Sequence, residues 1–321
     1  MHVKFSAVQP DGGDFQSGDP AFLIVPYEGA GLVFLDGVGS VDVRHDLRFD
    51  GTSLTVTPVR STEIYPLLMT YSQNFPRRAR DTVLALDIGL ADRLFFGKTV
   101  LLSIQGSSYG KTISLDYVGR AGRAKMEVYT AKRRTASVSF RFIRYLDESG
   151  SMAAGTKLLP TYAEELIGVL NQLYMPSANI ELTLKTSAQA NVNRRLGTQL
   201  SRDTFLSQVA PLKDATADIT IFFVGQYKGT IDPLGEAFGN LKCAVVDDAP
   251  HQALTPTFDD QINYGPDPLA RPRSDRDLHV LLAHEIAHLL GADHTSEPDN
   301  LMSDRLQTLR LSRDTVRAFN R

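Results

Sequence analysis

Between residues 284 and 294 the chain reads His-Glu-x-x-His-x-x-Gly-x-x-His, and no other stretch restricts the fold as much. His284 and His288 are four positions apart, so on a helix both project from one face, one turn above the other. Leu278, Leu282, Ile286 and Leu289 fall on a single stripe that would face the core. Ser274 and Asp277 have capping spacing and predict a helix beginning at Asp275. Gly291 can take the left-handed conformation that ends a helix and reverses the chain, which lets His294 swing back toward the other two imidazoles. Three neutral imidazoles so placed suit zinc. A fourth position left to water marks a catalytic site rather than a structural one. Glu285, next to the first ligand, is placed to activate the zinc-bound water rather than to ligate the ion.

The other histidines lack this arrangement. His279 lies about half a turn around the helix from His288 and is expected to be structural. His2, His45 and His251 have no partner at ligand spacing. Cys243 reads as a small buried apolar residue.

The 321 residues leave room for two domains. A net charge of −3 gives no general attraction to nucleic acid or to an anionic membrane. The basic clusters Arg77, Arg78, Arg80 and Lys132, Arg133, Arg134 read as solvated loops. With one cysteine no intrachain disulfide can form, so core packing, aided by metal, must hold the fold. The first twenty residues lack the apolar core of a signal peptide, and the apolar stretch 21–39 is broken by Pro26, Glu28 and Asp36, so no membrane span is expected. These features suit secretion or export by a leaderless route; they also permit the cytoplasm.

Residues 1–133 read as an all-β domain, a sandwich or barrel, from short runs such as AFLIVPYE, GLVFLDGV, VDVRHDLRF, SLTVTPV, TVLALDIGL, KTVLLSIQG and KTISLDYVG separated by turn residues. The polar stretch 130–137 is the expected linker to a second domain, 134–321. There SVSFRFIRYL reads as a strand and 160–176 as a helix. Thr161 and Glu164 would cap that helix, Leu166, Ile167, Leu170 and Leu173 would be buried, and Pro176 would end it. NIELTLKT and DITIFFVG follow as strands, and KCAVVDD, short and charged at its end, as an edge strand. The second half is therefore α/β.

The motif from His284 to His294 resembles the metzincin zinc-peptidase signature, and Met302 in DNLMS matches the methionine of its Met-turn. The interval from His294 to Met302, Thr295 after the third histidine, and the closing LRLSRDTVRAF with Asp314 are similar to the matrixin branch. The resemblance covers roughly residues 136–321. It implies a mixed twisted sheet, an active-site helix, the Met-turn and a C-terminal helix, with one catalytic zinc on His284, His288 and His294 and Glu285 as the catalytic base. It also implies that an extended peptide pairs with the strand Ala244–Val246, including Val245, and that residues 303–306 wall the pocket beyond the scissile bond. Only His251 and His279 lie between residues 186 and 283, so a second, structural zinc is not expected, and nothing in the sequence indicates calcium. No tyrosine follows Met302, unlike the astacin and serralysin branches. The first half contains no cysteine, so a cysteine-switch latency is not expected there.

The expected function is therefore a zinc-dependent endopeptidase acting on proteins or peptides, with the β domain as a targeting, docking or inhibitory module. The rival is a binding or delivery protein, or an exported toxin, in which the β domain carries the main role.

Overall fold

Alternation with period two is visible in the amino-terminal strands as burial on one face and exposure on the other. The computed structural model describes residues 3–8, 14–15, 21–26, 29–64, 66–67, 98–197, 199–228, 234–248, 278–296, 300–303 and 311–319. The expected strand at 82–90, the helix cap at 274–277, the pocket wall at 304–306, the cluster at 77–80, His2 and His251 lie outside the described residues.

Among the described residues nine strands come first: β1 (Lys4–Val8), β2 (Asp14–Phe15), β3 (Ala21–Pro26), β4 (Ala30–Asp36), β5 (Leu47–Arg48), β6 (Leu54–Pro58), β7 (Thr99–Gly106), β8 (Thr112–Gly119) and β9 (Gly122–Ala131). One sheet has the order β2-β1-β4-β7-β6 and the other β3-β9-β8-β5. All neighbours are antiparallel except β3 and β9, which run parallel. Phe5, Val33, Leu35, Val56 and Ile104 of the first sheet share one core with Val25, Leu115, Met126 and Val128 of the second. Two sheets facing across one core make a sandwich rather than a barrel.

Two local expectations fail here. In the stretch read as the strand VDVRHDLRF, only Leu47 and Arg48 are paired as strand. Asp42 starts a turn, accepting the N–H groups of His45 and Asp46 at its carbonyl, while its own N–H donates to the Asp46 carboxylate. The polar stretch 130–137 is mostly strand, since Thr130 and Ala131 close β9 and residues 134–137 open β10. Only Lys132 and Arg133 lie between.

Contacts divide the chain into two units, one of residues 1–134 with 174–180 and the other of 135–173 with 181–319. From residue 134 the chain, with the end of α1 counted in the first unit, forms β10 (Arg134–Leu146), β11 (Ala154–Gly155), α1 (Ala163–Ala178), β12 (Ile180–Arg195) and β13 (Leu200–Ser201). It continues with β14 (Ile219–Val224), β15 (Tyr227–Lys228), β16 (Gly235–Phe238), β17 (Cys243–Asp247), α2 (Leu278–Leu289) and α3 (Arg313–Phe319). The sheet has the order β11-β10-β14-β17-β16, and β12 also pairs with β10. It is mixed: β10, β14 and β17 run parallel, while β11 and β16 run antiparallel to their neighbours. No helix among the described residues is long and apolar enough to cross a membrane.

The stripe Leu166, Ile167, Leu170 and Leu173 of α1 is buried as expected. Its start differs. A Pro-led 3-10 turn, Pro160–Tyr162, leads into the helix in place of a Thr161 cap, and the Leu159 before that turn makes no side-chain cap. The helix also runs two residues past Pro176 and closes at Asn179, which takes a left-handed φ of 56° and donates its N–H to Met175.

The strand Ala244–Val246 is not an edge. β17 is paired on both sides, parallel to β14 and antiparallel to β16, and Ala244, Val245 and Val246 are fully buried. The aspartates that suggested an exposed end are buried too. Asp247 accepts the Tyr227 N–H at 2.9 Å, and Asp248 accepts the Thr156 hydroxyl and the N–H groups of Lys157 and Leu158. Burial pushes the Asp248 carboxyl up to about 6 against these bonds. The last strand of the described sheet on this side is β16.

β14 is buried along its whole length. Phe223 stacks on Phe142 at 4.9 Å between ring centroids and meets Phe140 edge-on at 5.4 Å. Phe223→Ala should therefore lower the unfolding free energy by about 3–5 kcal/mol. Urea unfolding followed by far-UV circular dichroism measures this, and a loss below 1 kcal/mol would mean that this cluster does not hold the sheet together.

Candidate metal centre

The helix α2 lies across β16 and β17, and its residues from Leu278 to Ala287 are buried, His284 and Glu285 among them. It ends as the glycine predicts. Gly291 has φ 104°, its N–H bonds His288 C=O at 3.0 Å, and the Ala292 N–H bonds Ala287 C=O at 3.0 Å. This pair of bonds is the Schellman arrangement, in which a left-handed residue satisfies the last helical carbonyls. The chain turns back, and His294 comes to face the helix.

The three Nε2 atoms of His284, His288 and His294 lie 3.0 Å from one another in all three pairings. Together they form a group able to hold a metal ion. Their protonation follows from the other ring nitrogens. His284 Nδ1 is 2.7 Å from Leu301 C=O, and His288 Nδ1 is 2.8 Å from Ala292 C=O. A carbonyl only accepts, so each Nδ1 carries the proton and each Nε2 presents a bare lone pair. No proton then lies between the Nε2 atoms of His284 and His288, and two lone pairs at that distance repel unless a cation joins them. Burial pushes the His284 imidazole down to about 3, so it stays neutral, as a ligand must. The donor set fits zinc, which takes imidazole nitrogens at about 2.0–2.1 Å. His279 is buried on the same helix and is not in this group.

A tight turn at 300–303 supports His284 from below. The Asn300 carboxamide accepts the Met302 N–H at 3.0 Å, and the Ser303 N–H donates to Asn300 C=O. The turn thus holds Leu301 C=O against the His284 ring. Met302 is fully buried, and its carbonyl accepts the Thr295 N–H, which ties the turn to the residue after the third ligand. Asn300 also reaches Thr315 of α3. Asp314 is exposed and pairs with Arg317 on its own helix, at 3.6 Å.

Glu285 is buried at the side of α2 that meets β16. A Cβ added at Gly235 would sit 2.7 Å from Glu285 Oε1 and 3.1 Å from Leu281 Cδ1. Only glycine lets the strand come this close to the carboxylate. Neither Gly235 nor Leu301 follows from the spacing of the histidines. PLGEAF carries a glycine inside a strand, a known sign of close backbone approach. A backbone carbonyl leaves no mark in the sequence.

Two histidines on a glycine-terminated helix and a third brought back after its turn, above a methionine-bearing turn and beside a mixed sheet, describe a metzincin-like metal centre. The matrixin (peptidase M10) family model matches residues 179–320, the stretch that carries the three histidines, the turn with Met302 and the sheet strands β12, β14, β16 and β17. The likeness to a matrixin-like metzincin thus holds over that stretch, and the family uses zinc and acts as metallopeptidases. No curated protein matches the chain.

Dialysed protein should retain about one zinc per chain by elemental analysis, and His294→Ala should lose most of it without unfolding, because His294 stands outside the helix. Zinc retained in full by the variant would remove His294 from the ligand set.

Proposed function

We propose that the chain is a zinc-dependent endopeptidase, with His284, His288 and His294 as the metal ligands and Glu285 as the general base. The observation that carries this reading is the set of three mutually close Nε2 atoms with a buried carboxylate on the adjacent residue of the same helix. Zinc bound there supplies Lewis acidity, polarising the scissile carbonyl and acidifying water. Glu285 takes a proton from the attacking water and returns it to the leaving amine. Gly235 keeps the backbone of β16 against that carboxylate, and the packing limits where the carboxylate can go. The hydrogen bonds to Leu301 and Ala292 hold two of the imidazoles in the tautomer that leaves Nε2 available, as carbonyl partners of ligating histidines do.

The substrate edge belongs on β16. Among the described residues no strand pairs with its outer side, and an extended peptide can add there by main-chain hydrogen bonds. Such pairing suits protein and peptide substrates. The proposed organisation is a peptidase domain, 134–321, preceded by a β domain, 1–133, that docks, targets or inhibits.

Two substitutions test the mechanism. Glu285→Ala should keep zinc and the fold while cleavage of a mixed peptide library falls by 10²-fold or more, the usual scale for a lost general base, roughly 10²–10⁴. Near wild-type cleavage by this variant would exclude Glu285 as the base. Gly235→Ala should also retain zinc and lower kcat, because the added methyl displaces the carboxylate. An unchanged kcat would show that Glu285 reaches its working position in spite of the methyl.

A further inference from the structure

The two faces of β16 carry different chemistry. Gly235 faces Glu285, whereas Glu236 and Phe238 alternate with it and belong to the opposite face. There the Glu236 carboxylate is fully engaged. Its Oε2 accepts the hydroxyl of the buried Tyr227 at 2.6 Å, and its Oε1 accepts the Arg202 Nε–H at 2.7 Å. The Arg202 guanidinium also lies 5.4 Å over the Phe238 ring. Burial and the bond to Glu236 together push the Tyr227 phenol far above its ordinary value, so Tyr227 remains a donor and holds the carboxylate in place.

Arg202 is therefore fixed by one edge of its guanidinium. Its side chain is 43% exposed, and no hydrogen bond from Nη1 or Nη2 is seen among the described residues. Two parallel N–H groups on a pinned, planar cation match a carboxylate, which is why arginine serves where bidentate recognition of an acid is needed.

Any peptide pairing with the outer side of β16 alternates its side chains in step with the strand. The residue that lies across from Glu236 projects onto the Arg202 face whichever way the peptide runs. We infer that Arg202, held by Glu236 and Tyr227, is a specificity-determining residue that selects an acidic side chain in the substrate, close to the scissile bond. This rests on the peptidase reading above and on β16 as the substrate edge.

The test uses the zinc-loaded full chain and a peptide cleaved by it, with Asp, Glu, Ala and Lys placed in turn at each position around the mapped cleavage site. The readout is the ratio of kcat/KM for the acidic peptide to that for the alanine peptide. At one position this ratio should be about tenfold in the wild type. It should fall to near one in Arg202→Gln, which still offers a donor to Glu236, and only partly in Arg202→Lys, which keeps the charge and loses the fork. Arg202→Glu should favour the lysine peptide at that position. Peptides that are cleaved with no acidic preference at any position, or with a preference that survives Arg202→Gln, overturn the inference and leave the peptidase reading standing. Failure of the zinc-loaded wild type to cleave any peptide overturns both.

Discussion

Bare nitrogen lone pairs cannot be held 3.0 Å apart without something positive to join them, and the rest of the carboxy-terminal unit is organised around that constraint. The backbone accomplishes most of it. Leu301 and Ala292 offer carbonyls that oblige Nδ1 to keep the proton on two of the rings. The helix supplies a fixed four-residue spacing, and Gly291 supplies the reversal that no residue with a Cβ makes easily. Each device is local. All of them depend on the helix being anchored, which the apolar stripe of α2 against β16 and β17 provides.

The small turn at 300–303 carries a larger share of the site than its length suggests. Asn300 closes it from inside, Met302 fills the space beneath, and the carbonyl between them points at a ligand. Through Thr295 the same turn is tied to the loop that carries His294, and through Thr315 it is tied to α3. Three segments distant in sequence thus share one set of hydrogen bonds. A change to the turn would be felt at two of the three ligands without touching either directly.

The site was legible in the sequence because helical spacing turns directly into geometry. His284 and His288 need only 3.6 residues per turn to be placed together, and Gly291 announces the bend that brings His294 back. The sheet was harder to read. β17 was taken for an edge because Asp247 and Asp248 end it, but charge at the end of a strand says nothing about which neighbours the strand has. The carboxylates were satisfied by backbone N–H groups, from Tyr227 for one and from Lys157 and Leu158 for the other, and such partners cannot be seen from spacing alone. β9 was missed although Ala124, Met126, Val128 and Thr130 alternate cleanly with charged residues. Arg123, Lys125 and Glu127 between them mark its more exposed face. The stretch 130–137 holds the division between the two units, at residue 134, but most of it is strand, since polar composition does not exclude a strand when the partner strand supplies the pairing. Pro176 shows the limit of reading breakers singly: the helix continues two residues past it, to Ala178.

Alternation along β16 separates two demands that would otherwise compete. The face toward α2 is small where the Glu285 carboxylate sits against the strand, and Gly235 leaves that room by having no side chain. The opposite face has no such restriction and can carry Glu236 and Phe238, which orient Arg202. Substitutions on the second face can retune which peptide is accepted without moving the carboxylate, since neighbouring side chains of a strand point apart. A side chain added at Gly235 on the first face cannot be so selective, because it would meet Glu285 directly. If Glu285 is the base and Arg202 reads the substrate, as proposed, a strand of four residues keeps the chemistry fixed on one side and sets the choice of substrate on the other, and the two meet only through the backbone with which a bound peptide would pair.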